Sequence, residues 1–216
     1  MPYYQFNNIK ITAVAAAVPC KTVMSNDYKS KFGDEAVAKF IDMTGVEKHR
    51  EAAKNQTASD MGFVAAERIL SDKNIDRNEI GALVFAAHST DYRRPATACV
   101  LHKRLGLSKE CSAFDISLGC SAAVYAIQTV AAMMQCSDIK SGLVVVGETM
   151  TKMVNPEDRS SVMLFGDGGG AILLEKTEES TAITTLSRTD GNGYKAIIAP
   201  AGGFRNLDAV TDVMVW

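Results

Sequence analysis

The sequence predicts an α/β protein built around a buried, mainly parallel sheet. Three features lead there. Residues 80–87 and 142–147 are continuous apolar runs of strand length, the pattern of strands covered on both faces. Around them apolar residues recur at helical spacing, most clearly Met61, Val64, Ala65, Ile69 and Leu70. No repeat, low-complexity tract or Pro/Ser-rich linker interrupts the alternation, so one compact unit is the simplest organisation. A chain of 216 residues, 47% hydrophobic and 22% charged, suffices for a substantial core.

Taken in order, residues 9–18 read as a strand. Residues 25–32 read as a short helix capped by Ser25 or Asn26, and residues 35–43 as a helix ended by Thr44-Gly45. Ser59 is expected to cap the helix carrying Met61 to Leu70, which leads into the strand 80–87. A second strand-and-crossover unit follows, with a helix at 96–105, a strand at Ser112–Ile116, a helix at 120–135 and the strand 142–147. The glycine-rich run 166–170 leads into a strand at 171–175, and 182–188 reads as the last strand. That run follows no strand-to-helix dinucleotide pattern, so it is read as close backbone packing instead of a phosphate cradle.

Composition excludes several function classes. The net charge is −2 and the basic residues are spread along the chain, without the basic patch of a nucleic-acid binder. Five cysteines (Cys20, Cys99, Cys111, Cys120 and Cys136) form no CxxC pair and no Cys/His cluster, so neither a zinc site nor a disulfide framework is expected, and a reducing compartment fits best. Residues 11–19 are apolar after Lys10, but the polar start and Pro19 argue against a cleaved export signal. No run reaches membrane-spanning length.

One segment carries candidate chemistry. In Phe114-Asp115-Ile116-Ser117-Leu118-Gly119-Cys120-Ser121-Ala122-Ala123 a cysteine stands where a buried strand turns into an apolar, Ala-rich helix. Free N–H groups and the macrodipole at a helix start favour a thiolate, and the small neighbours leave room for a thioester or a pantetheine arm. By this pattern alone Cys120 is equally a small core residue. The other four cysteines lack the setting and read as structural.

Four further stretches accompany it: Thr44-Gly45-Val46-Glu47-Lys48-His49-Arg50; Ala58-Ser59-Asp60-Met61-Gly62; Asp91-Tyr92-Arg93-Arg94-Pro95-Ala96-Thr97-Ala98-Cys99; and Leu164-Phe165-Gly166-Asp167-Gly168-Gly169-Gly170-Ala171. In this order, and continuing to Thr189-Asp190-Gly191-Asn192-Gly193, they resemble beta-ketoacyl-acyl carrier protein synthase III of the thiolase superfamily over nearly the whole chain. The resemblance implies a thiolase-like fold, with residues 1–216 as one half, the N-terminal one, of a duplicated, layered αβαβα architecture. It implies that Cys120 takes an acyl group from acyl-CoA and that malonyl-acyl carrier protein then decarboxylates and condenses with it. Splitting a difficult carbon–carbon bond formation into two steps is the logic of covalent catalysis. It further implies a homodimer in the cytoplasm, working in fatty acid or related acyl-chain synthesis, with acyl-CoA as substrate and no permanently bound cofactor.

By the same resemblance, Arg159 holds the place of a residue that contacts the CoA adenine or phosphate; the alternative is a surface arginine bonded to Glu157 or another carboxylate. Phe165 corresponds to a residue near the acyl tunnel, though an aromatic before a glycine turn is as often core packing. Met43, with Lys39 and Phe40 nearby, stands where several family members carry an arginine and an aromatic clamp, so CoA binding is expected to differ. Arg94 replaces an apolar residue lining the partner subunit's acyl pocket, which points to a more polar primer or a shorter pocket.

The family's His and Asn, and with them an oxyanion-stabilising N–H, come from a second half. The sequence has no His-Gln-Ala-Asn-like and no Asn-Gly-Asn-like stretch, so the chain alone is expected not to condense substrates. Of the three histidines, His49 and His102 read as solvated or packing residues. His88 is better placed, at the carboxyl end of a buried strand where ligands of α/β sheets gather. Two rival readings stand: a condensing or acyl-transferring enzyme of secondary metabolism, and a non-catalytic assembly subunit paired with a complete partner.

Overall fold

The computed structural model describes residues 3–200 and 202–207, together with the backbone of a short strand at Met214–Val215. The chain divides into two compact units, each assembled from three separate segments. The first comprises residues 1–18, 55–148 and 168–187, and the second 19–54, 149–167 and 188–216.

The first unit is organised by β5 (Ile80–Ala86), in which every residue but Gly81 is buried. It pairs in parallel with β6 (Ser112–Ile116) on one side and β7 (Ser141–Thr149) on the other. The sheet continues through β8 (Asp167–Lys176) to β2 (Ile9–Ala17), and those two strands run antiparallel. Its order is therefore β2-β8-β7-β5-β6, a mixed and mainly parallel sheet of the predicted class.

Because side chains alternate across a strand, the residues of β5 and β7 divide between two cores. Leu83, Phe85, Leu143 and Val145 join Ala65 and Ile69 of α3 (Ala58–Asp72) and Ala98 and Leu101 of α4 (Thr97–Arg104). Ala82, Val84 and Val144 join Ala126, Val130 and Met134 of α5 (Ala122–Gln135) on the opposite face. Each large apolar side chain so buried contributes about 1.5–3 kcal/mol. β1 (Tyr3–Asn7), not foreseen from the sequence, pairs antiparallel with β9 (Ala182–Leu186), and its Phe6 fills the second core.

The glycine-rich run lies within β8. A methyl group on Gly169 would approach the Gly62 amide nitrogen to 2.6 Å, so the run is close helix-to-strand packing, as read. The cap of α3 is corrected. Thr57, not Ser59, caps it, and Asp60 returns a carboxylate oxygen to the Thr57 N–H at 2.9 Å. Ser59 instead is buried and donates to Asp91 Oδ2 at 2.7 Å.

In the second unit, β3 (Lys21–Met24) pairs antiparallel with β4 (Lys48–Glu51). The helix expected over 25–32 is a 3-10 turn at Ser25–Tyr28 followed by the single-turn α1 (Lys29–Phe32). Its cap is Met24, whose N–H donates to Asp27 Oδ2 at 2.9 Å, while the buried Ser25 hydroxyl donates to the Val46 carbonyl. Ser25 is thus drawn to a distant backbone acceptor that no local pattern reveals.

Helix α2 (Asp34–Thr44) ends as expected on Gly45, at φ 70°. With α6 (Arg159–Val162) it frames a small core of Val37, Val162 and Met163, joined by Tyr28, Phe32, Phe40 and Ile41. His49 sits on β4 buried beside Tyr28, a packing residue, its Nε2 3.5 Å from Glu51 Oε1. Residues 197–198 pair with 214–215. No helix among the described residues is long and apolar enough to cross a membrane.

Candidate active site

The parallel strands set up the site. The path β5, α4, β6 crosses one face of the sheet and β6, α5, β7 the other, so the loops after β5 and β6 gather at the carboxyl edge where open α/β sheets bind ligands. His88 follows β5, Cys120 follows β6, and Glu148 lies near the end of β7.

Cys120 is exposed and lies just before the helix. Helix α5 begins at Ala122 with Ser121 as its cap, and the Ala122 N–H closes a turn on the Gly119 carbonyl at 2.8 Å. This corrects the expected start at residue 120. The Gly119-to-Ala122 turn holds Ser121 at φ −93° and ψ 1°, outside helical geometry, and places the thiol at the mouth of the helix instead of in its buried first turn. A core-filling role for Cys120 is excluded by that exposure. Cys111 is the contrasting thiol: it is buried, and burial pushes its pKa up to about 11.

Three carboxylates the sequence reading passed over organise these loops. Glu148 accepts the His88 N–H through Oε1 at 2.7 Å, and through Oε2 the Ser89 N–H at 3.0 Å and the Ser89 hydroxyl at 2.6 Å. Asp115 accepts the Thr97 and Ala98 N–H groups, both at 2.7 Å, and so caps α4 from the neighbouring strand. Asp91 takes the Ser59 hydroxyl. A charged residue inside or ending an otherwise apolar strand was the available signal for Glu148 and Asp115.

The imidazole of His88 lies over the turn that bears Cys120. A methyl group on Gly119 would come within 2.8 Å of His88 Cδ2 and 3.0 Å of Nε2, so only glycine leaves room for the ring there. His102, by contrast, is tied through Nε2 to the Ser108 carbonyl at 2.8 Å.

Within the second unit, two of the residues singled out in sequence meet. Arg159 and Met43 line one groove of about 330 Å³ with Ala36, Lys39, Phe40 and Ser160. Met43 is 73% exposed there. The proposed pairing of Arg159 with Glu157 does not form: Glu157 pairs with Lys31 at 2.6 Å, because Lys31 also reaches the neighbouring Pro156 carbonyl. Among the described residues no carboxylate stands within ion-pair distance of Arg159. Asp158 caps α6 through the Ser160 N–H at 2.9 Å, and hydrogen bonds from the Ser161 and Ser160 hydroxyls hold its carboxyl below the usual range.

Phe165 is half-buried directly beyond α6, and Arg94 is exposed in the loop before α4. Neither lines the groove that Arg159 and Met43 share. A second hollow, of about 560 Å³, is formed in the first unit by Tyr92, Pro95, Cys99, Val100, Lys103 and Arg104. No group of three or more metal-ligating side chains occurs among the described residues.

Comparison with known proteins places this arrangement. Residues 114–191, which include Cys120, Arg159 and Phe165, match the family model of 3-oxoacyl-[acyl-carrier-protein (ACP)] synthase III. The chain is 33% identical over 188 residues to a beta-ketoacyl-[acyl-carrier-protein] synthase III of Pasteurella multocida, covering 87% of this chain and 59% of that protein. It is 32% identical over 199 residues to the enzyme of that name from Enterobacter sp. strain 638, covering 92% and 62%. The crystal structure of 3-oxoacyl-(acyl-carrier protein) synthase from Burkholderia xenovorans LB400 superposes with a TM-score of 0.93 at 34% identity, over 96% of this chain and 59% of that one. The chain thus spans about three fifths of the length of the relatives it matches. Over the portion it spans, in sequence and in fold, the chain matches the 3-oxoacyl-[acyl-carrier-protein] synthase III family.

Proposed function

We propose that Cys120 accepts an acyl group from acyl-CoA and that the acyl-enzyme condenses with malonyl-acyl carrier protein to begin an acyl chain, in a homodimer that needs no resident cofactor. The observation that carries this reading is the exposed thiol of Cys120, presented on the turn between β6 and α5. Sulfur there is open to a thioester, and the acyl-enzyme divides the reaction into transfer and condensation. Arg159 and Lys39, both lining the groove with Met43 and Phe40, suit a phosphate ester on an apolar arm.

Incubation with acyl-CoA followed by peptide mass spectrometry tests the reading. A thioester adduct on Cys120 supports it, whereas folded protein with unmodified Cys120 favours the assembly-subunit role. The exposed cation of Arg94, in place of an apolar residue, favours a primer more polar than acetyl, and a panel of acyl-CoAs in the same assay ranks the candidates.

A further inference from the structure

We propose that His88 carries the proton in the acyl-loading step at Cys120, a role that rests on the reading of Cys120 as the nucleophile. Three observations converge on it. The Glu148 carboxylate clamps the backbone N–H groups of His88 and Ser89 through two hydrogen bonds and the Ser89 hydroxyl through a third, fixing where the chain leaves β5. The imidazole is thereby laid over Gly119, with Cδ2 and Nε2 filling the space a side chain would need. Neither ring nitrogen is hydrogen-bonded to any described residue, so in the neutral ring the nitrogen without a hydrogen is available to accept a proton. The Cα of Cys120 follows that of Gly119 by about 3.8 Å, so the ring lies over the same turn that carries the thiol, and a bridging water is the path proposed for the proton.

The step balances without a further reactant. As Sγ attacks the thioester carbonyl, its proton passes to the imidazole. When the tetrahedral intermediate collapses, the bond from the carbonyl carbon to the departing sulfur breaks and the imidazolium returns the proton to that sulfur. His88 ends neutral and nothing is oxidised or reduced.

The charged and titratable groups on the surrounding elements are few. Glu148 on β7 and Asp115 on β6 have both oxygens engaged by N–H donors. Asp91, Arg93 and Arg94 lie in the loop that follows, Tyr125 lies on α5, and the first turn of α5 carries no acidic residue.

The test is the rate at which iodoacetamide alkylates Cys120 between pH 5.5 and 9.5, read by peptide mass spectrometry with Cys99 and Cys136 as internal references. His88→Gln is expected to slow Cys120 alkylation roughly tenfold at pH 7, the two proteins converging at high pH where the thiol ionises unaided. Gly119→Ala, which forces the ring away while keeping the histidine, is expected to do the same. Identical pH profiles for Cys120 in the wild type and either folded variant overturn the proposal. Acyl-CoA loading is scored separately: loading with no His88 effect on alkylation removes only this proposal, and absence of loading removes the acyl-CoA reading and the acyl-loading role of His88 with it.

Discussion

At the scale of single residues, two thiols illustrate how position decides reactivity. Cys111 is buried with its pKa pushed up to about 11, so at pH 8 about one molecule in a thousand is a thiolate. Brief treatment of the native protein with iodoacetamide is expected to label Cys120 and leave Cys111 intact, while unfolding in denaturant exposes both; Cys111 labelled as fast as Cys120 in the native state contradicts this. Arg159 is decided by its surroundings in the same way. It lines the groove with Lys39 and Met43, and its sequence neighbour Glu157 is taken by Lys31. Arg159→Ala is expected to raise the acyl-CoA concentration needed to label Cys120 about tenfold, the effect of losing one charge-assisted contact to phosphate, with little change in the rate at saturation. Sequence marked both residues, but it could not show that the arginine's expected partner would choose another cation.

At the scale of elements, helices α3 and α4 are joined by a fork. The Arg77 guanidinium holds both Glu67 oxygens, at 2.7 and 2.9 Å, and also donates to the Leu105 carbonyl just beyond α4 at 2.6 Å. Arg77's hydrogen bond, opposed by burial, holds the Glu67 carboxyl below its ordinary value of 4.5. A depressed carboxyl stabilises the fold fully above its unfolded pKa, and that contribution is lost as pH falls through the folded value. With side chains 37% and 31% exposed, solvent screening limits the pair to about 0.5–1 kcal/mol. Urea denaturation is expected to show Glu67→Gln less stable by that amount at pH 7, with the difference vanishing at acid pH; a gap that persists in acid is incompatible with an ion-pair origin. Asp60 is held low as well: burial raises it, but the Thr57 N–H and Arg104 outweigh that.

Most element boundaries were legible because they follow from local rules. The strand Ser112–Ile116 was placed to the residue, and α2 stops where Gly45 adopts a left-handed conformation. The misplaced caps of α3 and of the turn at Ser25 share one cause. A serine at a helix start normally caps it, but Ser59 and Ser25 donate to Asp91 and Val46, partners 32 and 21 residues away. β1 and the β3–β4 pair escaped notice because their stability comes from a paired strand, and their own side chains alternate too weakly to declare a buried face.

At the scale of the molecule, the relevant quantity is which groups each unit of this polypeptide presents. Among the described residues the first unit presents the exposed Cys120 thiol with His88 over its turn, and the second unit separately carries a groove with two cations, while the sequence holds no His-Gln-Ala-Asn-like or Asn-Gly-Asn-like stretch to stabilise an enolate. The 216-residue polypeptide is therefore expected to take an acyl group onto Cys120 without forming ketoacyl product from malonyl-acyl carrier protein. Chromatographic detection of that product from the isolated chain contradicts the expectation.

The sequence by itself determined the fold class, the order of the central strands and helices, and the turn on which Cys120 stands, since these depend on hydrophobic period, turn chemistry and motif. Only the tertiary structure decided that each unit is stitched from three separate segments, that Glu148 fixes His88, and that His88 covers Gly119. Those contacts join residues far apart in the chain, and no local pattern records which strand ends will become neighbours once the sheet has formed.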